Sequence, residues 1–215
     1  MKTLSWDKIQ QGDEEAFRQL YEQYADLLYG YGMKIAGDDT LVTEAIQSLF
    51  VYIFEKRETC TAPQSIPAYL CVSLRHMIVN ELKKENSGSL KSLDEVGTNE
   101  YQFDLEIDIE TAIIHSELEK EQLEVLQKEL NNLTKQQREV LYLKYYKKMS
   151  SEEIAQVMGL TSRTVYNTTH MAISSLRERM SKSFLRENIS PTRGSLPSSK
   201  YCSKDSVHFS ISHLN

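Results

Sequence analysis

All four prolines of this 215-residue chain fall at two places, Pro63 and Pro67 in one polar stretch and Pro191 and Pro197 near the end. Proline inside a helix removes an amide donor and clashes with the preceding turn. The long intervals between these two places are therefore free to be helical. Their apolar residues recur at the three- and four-residue steps of one helical face. Ala16, Phe17, Leu20, Tyr21, Tyr24, Leu27, Leu28, Tyr31 and Ile35 form one face, with Asp13 placed to cap its start and Gly37 near its end. A second helix is expected from about Thr40, on Val42, Ala45, Ile46, Leu49, Phe50 and Ile53. A third is expected from Ser65 to about Glu85, on Tyr69, Leu70, Leu74, Ile78 and Leu82.

Residues 87–110 show no clean period and read as a linker. Helical spacing resumes near Ile107, runs to Leu130 and breaks at Asn131-Asn132. Thr134 with Gln137, and Ser150 with Glu153, are capping-box pairs. Thr161 is placed as a third N-cap, for a helix to about Lys182. Strand signals are almost absent. The expected fold is all-α, two helical domains joined by a flexible acidic linker. The boundaries read as 1–86, a linker 87–115, a second domain 116–186, and a tail 187–215 whose eight serines and two prolines predict disorder.

The net charge of −6 argues against a nucleic-acid partner until it is mapped. Residues 93–121 hold ten acidic groups against one basic, Lys120, whereas residues 122–187 hold eleven basic against seven acidic. The negative charge is thus concentrated in the middle, and the C-terminal third is basic, as a phosphate-binding surface requires. The acidic stretch reads either as a solvated linker or as a strand occupying a basic channel on a partner.

Several function classes drop out. No run of 18 apolar residues exists, so no membrane span is expected. The start, Met1 to Asp7, lacks an apolar signal core, which predicts a cytoplasmic protein. Cys60, Cys71 and Cys202 have no metal-ligand spacing, and neither do the five histidines. No phosphate loop, zinc-protease helix or nucleophile elbow appears. The expectation is no enzyme, no metal and no cofactor. Cys60, in the polar loop, has no adjacent basic pair to lower its pKa, which argues against an oxidant sensor.

Residues 150–176 carry the most specific local pattern. Ala155 stands four residues before Gly159, and Val165 six after it. A small residue permits close helix crossing, and glycine accepts the positive φ of a tight turn. Ile154, Val165, Ala172 and Leu176 are placed to close a small core. The second helix then offers Arg163, Tyr166, Asn167, His170 and Ser174 on its other face, a helix-turn-helix suited to the major groove. Arginine and asparagine can make bidentate contacts to guanine and adenine. Lys135, Arg138, Lys144, Lys147, Lys148, Arg177 and Arg179 are available for phosphates.

With both halves in view, the chain resembles the bacterial sigma factors of the extracytoplasmic-function (ECF) class. Leu133 to Tyr146, leading into the helix-turn-helix, is similar to region 4 of that family. Gly12 to Ala25 is similar to the opening of region 2, Glu44 to Phe50 to its polymerase-docking segment, and Ala68 to Lys84 to the helix that reads the −10 element. The likeness covers about residues 10–85 and 130–180. It implies that Glu44, Gln47, Phe50 and Phe54 dock on the β′ coiled-coil of core RNA polymerase. Arg57, Tyr69, Arg75, His76, Asn80, Lys83 and Lys84 would hold the −10 element or its single strand, with the loop at about 57–66 capturing an unpaired base. Thr161, Ser162, Arg163, Thr164, Tyr166, Asn167 and His170 would read the −35 element. Region 4 would also sit on the β flap, and the acidic linker would thread toward the RNA exit channel. An anti-sigma partner is implied too. Tyr69, His76 and Asn80 depart from the family's frequent Trp, Asn and Asp, and Glu44 from its frequent Asp. The Tyr166-Asn167 pair resembles sigma factors of the Bacteroides type. Two other readings remain open from the residues: a stand-alone helix-turn-helix regulator, and a sigma-like decoy that binds an anti-sigma factor.

Overall fold

The computed structural model describes residues 5–87, 101, 103–105 and 117–189. All regular structure among them is helical. In chain order the helices are α1 (Trp6–Gln10), α2 (Glu14–Ala36), α3 (Asp39–Lys56), α4 (Ile66–Ser87), α5 (Glu117–Asn131) and α6 (Lys135–Leu141). A π-helical turn, Tyr142–Tyr146, is followed by α7 (Ser151–Met158) and α8 (Ser162–Ile189).

The long helices begin and end where their side chains dictate. Asp13 Oδ1 accepts the Ala16 amide at 2.9 Å, and Gly37 closes α2 at φ 66° with its amide donating to Met33 O. Asp38 caps α3 in the same way through the Leu41 amide. Pro67 stands in the first turn of α4, where a missing amide removes no helical bond. Both expected capping boxes, Thr134 with Gln137 and Ser150 with Glu153, are formed.

The described residues gather into two compact units, the first holding α1 to α4, residues 101 and 103, and residues 150–162, the second holding residues 104–105, α5, α6, the π turn and α8 from Arg163. In the first, α2, α3 and α4 pack on one another around Leu20, Leu28, Val42, Leu49, Ile53, Leu70, Leu74 and Ile78. Gly32 lets α2 approach the other two closely: a Cβ there would stand 2.8 Å from Val42 Cγ1 and 3.2 Å from Ile78 Cδ1. In the second, Leu126, Leu130, Leu133 and Leu141 pack with Ala172, Leu176 and Met180 of α8, and Leu105 and Ile173 lie against them.

The structure departs from the sequence expectation at five points. Helix α1 was not expected; five residues are too few to show a period, and Trp6 and Ile9 hold it by burial. The helix at 135–146 is α only to Leu141 and then widens into the π turn. Helix α8 runs to Ile189, past the expected end near Lys182. Tyr101 and Phe103, read as linker, are buried in the first unit. Residues 150–162, read as part of the second domain, belong to the first unit, because α7 packs on α4. The helical spacing expected at 107–116 lies outside the described residues, as does the tail from residue 190.

Candidate nucleic-acid interface

The first unit presents two surfaces. On α3, Glu44 and Gln47 are exposed, one turn apart. Phe50, expected beside them, is 5% exposed. It is covered by Tyr21, whose ring lies 5.0 Å away, and by Phe17 at 6.0 Å. Phe54 packs on Phe17 at 5.4 Å yet stays 43% exposed. The exposed aromatics of this group are therefore Tyr21 and Phe54, with Phe50 beneath them. Tyr21 was legible only as a helix-face residue of α2; its position four residues after Phe17 is the signal that pairs it with the α3 aromatics.

The second surface is α4 with the loop before it. Arg57 caps the end of α3 by donating to Phe54 O at 2.6 Å, and its guanidinium lies 4.6 Å over the Phe54 ring. The loop is tied to α1, since Cys60 O accepts from Gln10 Nε2 at 2.7 Å and from Trp6 Nε1 at 3.4 Å. Tyr69 stands edge-on to Trp6 at 5.9 Å. Burial, and then the neighbouring Cys60, push its phenol up to about 12, so the hydroxyl stays protonated. His76 is exposed, and partial burial followed by the adjacent Arg75 cation lowers its pKa. Asn80 and Lys83 are half-buried, and Lys84 pairs with Glu81 at 2.8 Å. Arg75 is the exception. It is 5% exposed and donates through Nη2 to the Tyr101 hydroxyl at 2.9 Å.

Of the seven α4 and loop residues expected to meet DNA, His76 and Lys84 are thus exposed, Arg57, Tyr69, Asn80 and Lys83 half-buried, and Arg75 buried. Helix α7 also lies on this unit. Ser65 Oγ donates to Glu153 Oε1 at 2.6 Å while accepting the Ala68 amide at 3.3 Å. Partial burial opposes ionisation of Glu153, but the bonds its carboxylate accepts from the Ser65 hydroxyl and the Ser150 amide, with the Ser150 side chain beside it, outweigh that and lower its pKa. At the end of α7 Gly159 turns at φ 64°, and the Leu160 amide donates back to Ala155 O at 2.8 Å. The turn chemistry predicted for Gly159 is therefore present.

In the second unit, α8 sorts its residues by face as its sequence predicts. Val165, Ala172 and Leu176 are buried, whereas Arg163, Tyr166, Asn167 and His170 are exposed, Tyr166 to 67%. Ser162 and Thr164 are half-buried and Thr161 is exposed just before the helix. Ile154 does not join Ala172 and Leu176 as expected; it is buried within the first unit. The π turn stacks Tyr142 on Tyr146 at 5.2 Å and places the Lys147 ammonium over both rings. Lys148 follows at φ 56°, exposed. A basic, aromatic knob therefore precedes α7. No cluster of residues able to hold a metal ion occurs among the described residues, and no described helix is long and apolar enough to cross a membrane.

Residues 123–176 match the family described as Sigma-70, region 4. The chain is 24% identical over 162 residues to the ECF RNA polymerase sigma factor SigL of Mycobacterium tuberculosis, covering 74% of this chain and 86% of that one. It is 23% identical over 178 residues to the ECF RNA polymerase sigma factor SigX of Bacillus subtilis, covering 82% and 88%. Its fold is similar to that of the sigma factor RpoE from Bartonella quintana, solved with the anti-sigma factor NepR, with a TM-score of 0.50 at 18% identity over 77% of this chain and 96% of that one. The region 4 match and the relatives that extend along both halves support an ECF sigma factor.

Proposed function

We propose that this chain binds core RNA polymerase and directs transcription from promoters with −10 and −35 elements, with no catalysis of its own. The observation that carries the reading is the exposed face Arg163, Tyr166, Asn167 and His170 on a helix inside the region 4 match. Such a helix can enter the major groove with its first turns at base edges. Arg163 and Asn167 supply the bidentate hydrogen-bonding groups, and Lys144, Lys147 and Lys148 supply phosphate contacts.

Glu44, Gln47, Phe54 and Tyr21 form the docking surface for the polymerase β′ coiled-coil, supported from below by Phe50. Arg57, Tyr69, His76, Asn80, Lys83 and Lys84 line the −10 and single-strand surface, to which Arg75 belongs once exposed. Melting is aided because a captured base lowers the cost of opening the duplex. Region 4 rests on the β flap, and the acidic linker runs toward the RNA exit channel. The protein acts in the cytoplasm, and an anti-sigma factor is a further partner, a reading supported by the complex of the Bartonella quintana sigma factor RpoE with the anti-sigma factor NepR. The Tyr166-Asn167 pair, which resembles that of sigma factors of the Bacteroides type, supports a place in that subgroup.

The test is to mix the purified chain with core RNA polymerase, separate the mixture by size and assay the complex for promoter-dependent transcripts. Co-elution with selective transcripts is expected. An active core that accepts another sigma factor but not this chain would overturn the proposal in favour of a stand-alone regulator or a decoy.

A further inference from the structure

Tyr101 and Phe103 are seated among the helices of the first unit although their own segment, residues 93–121, carries ten acidic groups and one basic. Phe103 is fully buried, its ring 6.3 Å from that of Tyr31, itself fully buried on α2. Tyr101 is 6% exposed; its hydroxyl accepts from Arg75 Nη2 at 2.9 Å and its ring lies 5.1 Å under the guanidinium. These two aromatics, two residues apart in an acidic segment, form a hook on the first unit.

The hook falls on a particular residue. Of the α4 side chains facing the proposed DNA surface, His76 and Lys84 are exposed, while Arg75 is 5% exposed. Arginine is rarely buried unless its charge is met by partners, and it is the side chain best suited to bidentate phosphate binding. Tyr101 offers it an oxygen acceptor and a π face. Both features are ones that nucleic acid also offers, as phosphate oxygens and base rings.

We propose that Tyr101 and Phe103 form an intrachain hook that competes with single-stranded promoter DNA for Arg75, so that α4 presents an incomplete DNA surface until the linker is drawn off. The inference rests on the sigma-factor reading, in which Arg75 belongs to the −10 surface. The linker is the part of the chain that must relocate when it threads into polymerase. Withdrawing Phe103 and Tyr101 then removes this acceptor and ring from Arg75 at the moment core enzyme is bound. The hook is noncovalent, so release is reversible.

The experiment measures binding of the free, full-length chain to a fluorescein-labelled single-stranded DNA of randomised sequence, by anisotropy at low salt. The Tyr101→Ala/Phe103→Ala chain is expected to bind at least about fivefold more tightly than wild type, with the gain lost when Arg75→Ala is added. No gain, or a gain that survives Arg75→Ala, overturns the hook. If the double variant loses helix content, Tyr101→Phe serves instead: it keeps the ring and removes only the acceptor, and a smaller gain, again dependent on Arg75, is expected. A second readout is hydrogen exchange of residues 101–105 in the wild-type chain with and without core polymerase. Loss of protection on binding is expected, and retained protection overturns the proposal. Co-elution of wild type with core polymerase reports the underlying sigma reading separately, so either claim can fail alone.

Discussion

Gly32→Ala is the substitution whose outcome the packing of α2 determines most sharply. In an exposed helix, replacing glycine by alanine stabilises by about 1 kcal/mol, because glycine has more backbone freedom to lose. At Gly32 the new methyl would stand 2.8 Å and 3.3 Å from the two Cγ atoms of Val42 and 3.2 Å from Ile78 Cδ1. Carbon atoms rest at roughly 3.5–4.0 Å, so all three contacts are too close. Val42 and Ile78 are both fully buried, and a valine in a helix holds one χ1 strongly. Such overpacking costs about 1–3 kcal/mol. The net expectation is a first unit destabilised by about 1 kcal/mol, the propensity gain being outweighed.

A double-mutant cycle isolates the cause. Val42→Ala removes two of the three close atoms, so Gly32→Ala in that background should stabilise, approaching the exposed-site gain of about 1 kcal/mol. Urea titration followed by far-UV circular dichroism measures all four chains. If Gly32→Ala has the same effect in both backgrounds, the close approach of α2 to α3 is not what glycine serves.

Lys148→Gly should stabilise by about 0.5–1 kcal/mol in the same titration, because Lys148 sits at φ 56°, a conformation that costs side chains with a Cβ and not glycine. Thr134→Ala should lower stability by about 1 kcal/mol through loss of the α6 capping box. Glu153 has a folded pKa below its unfolded value, so its contribution is fully present above the unfolded pKa and fades as pH falls through the folded one. Ser65→Ala should therefore cost stability at neutral pH and cost less in acid, whereas a pH-independent effect would show that the Ser65–Glu153 bond does not set the shift. Arg163→Ala should weaken binding to −35 duplex by about 1–3 kcal/mol without lowering the melting temperature, since its side chain is exposed.

The elements legible in the sequence are those whose information is local. The starts of α2, α6 and α7 are written in Asp13 and the two capping boxes, and the faces of α2 to α4 in their apolar spacing. The two faces of α8 follow from the same spacing, which is why Arg163, Tyr166, Asn167 and His170 could be named in advance. What was not legible depends on partners distant in sequence. Tyr101 and Phe103 sit in a segment with no period, and their burial follows from Arg75 and Tyr31, 26 residues away in the first case. Phe50 carried the right residue type for a docking surface, yet Tyr21 of another helix covers it. The π turn leaves no compositional trace, since it adds a residue to a turn without changing the residue types used.

The assignment of α7 to the first unit separates two meanings of modularity. As a string, residues 123–176 form one recognisable family segment, and it would be natural to excise it for DNA-binding work. As a packed object, the same segment includes a helix lodged on α4. Ile154, Val157 and Met158 of this helix are buried, and a fragment starting near residue 116 would leave α7 without α4 as a neighbour. Such a fragment would have to find another cover for these side chains or self-associate. Dissecting this protein by sequence boundaries alone would therefore cut through a folded surface, and probes of α8 are better introduced as point changes in the whole chain.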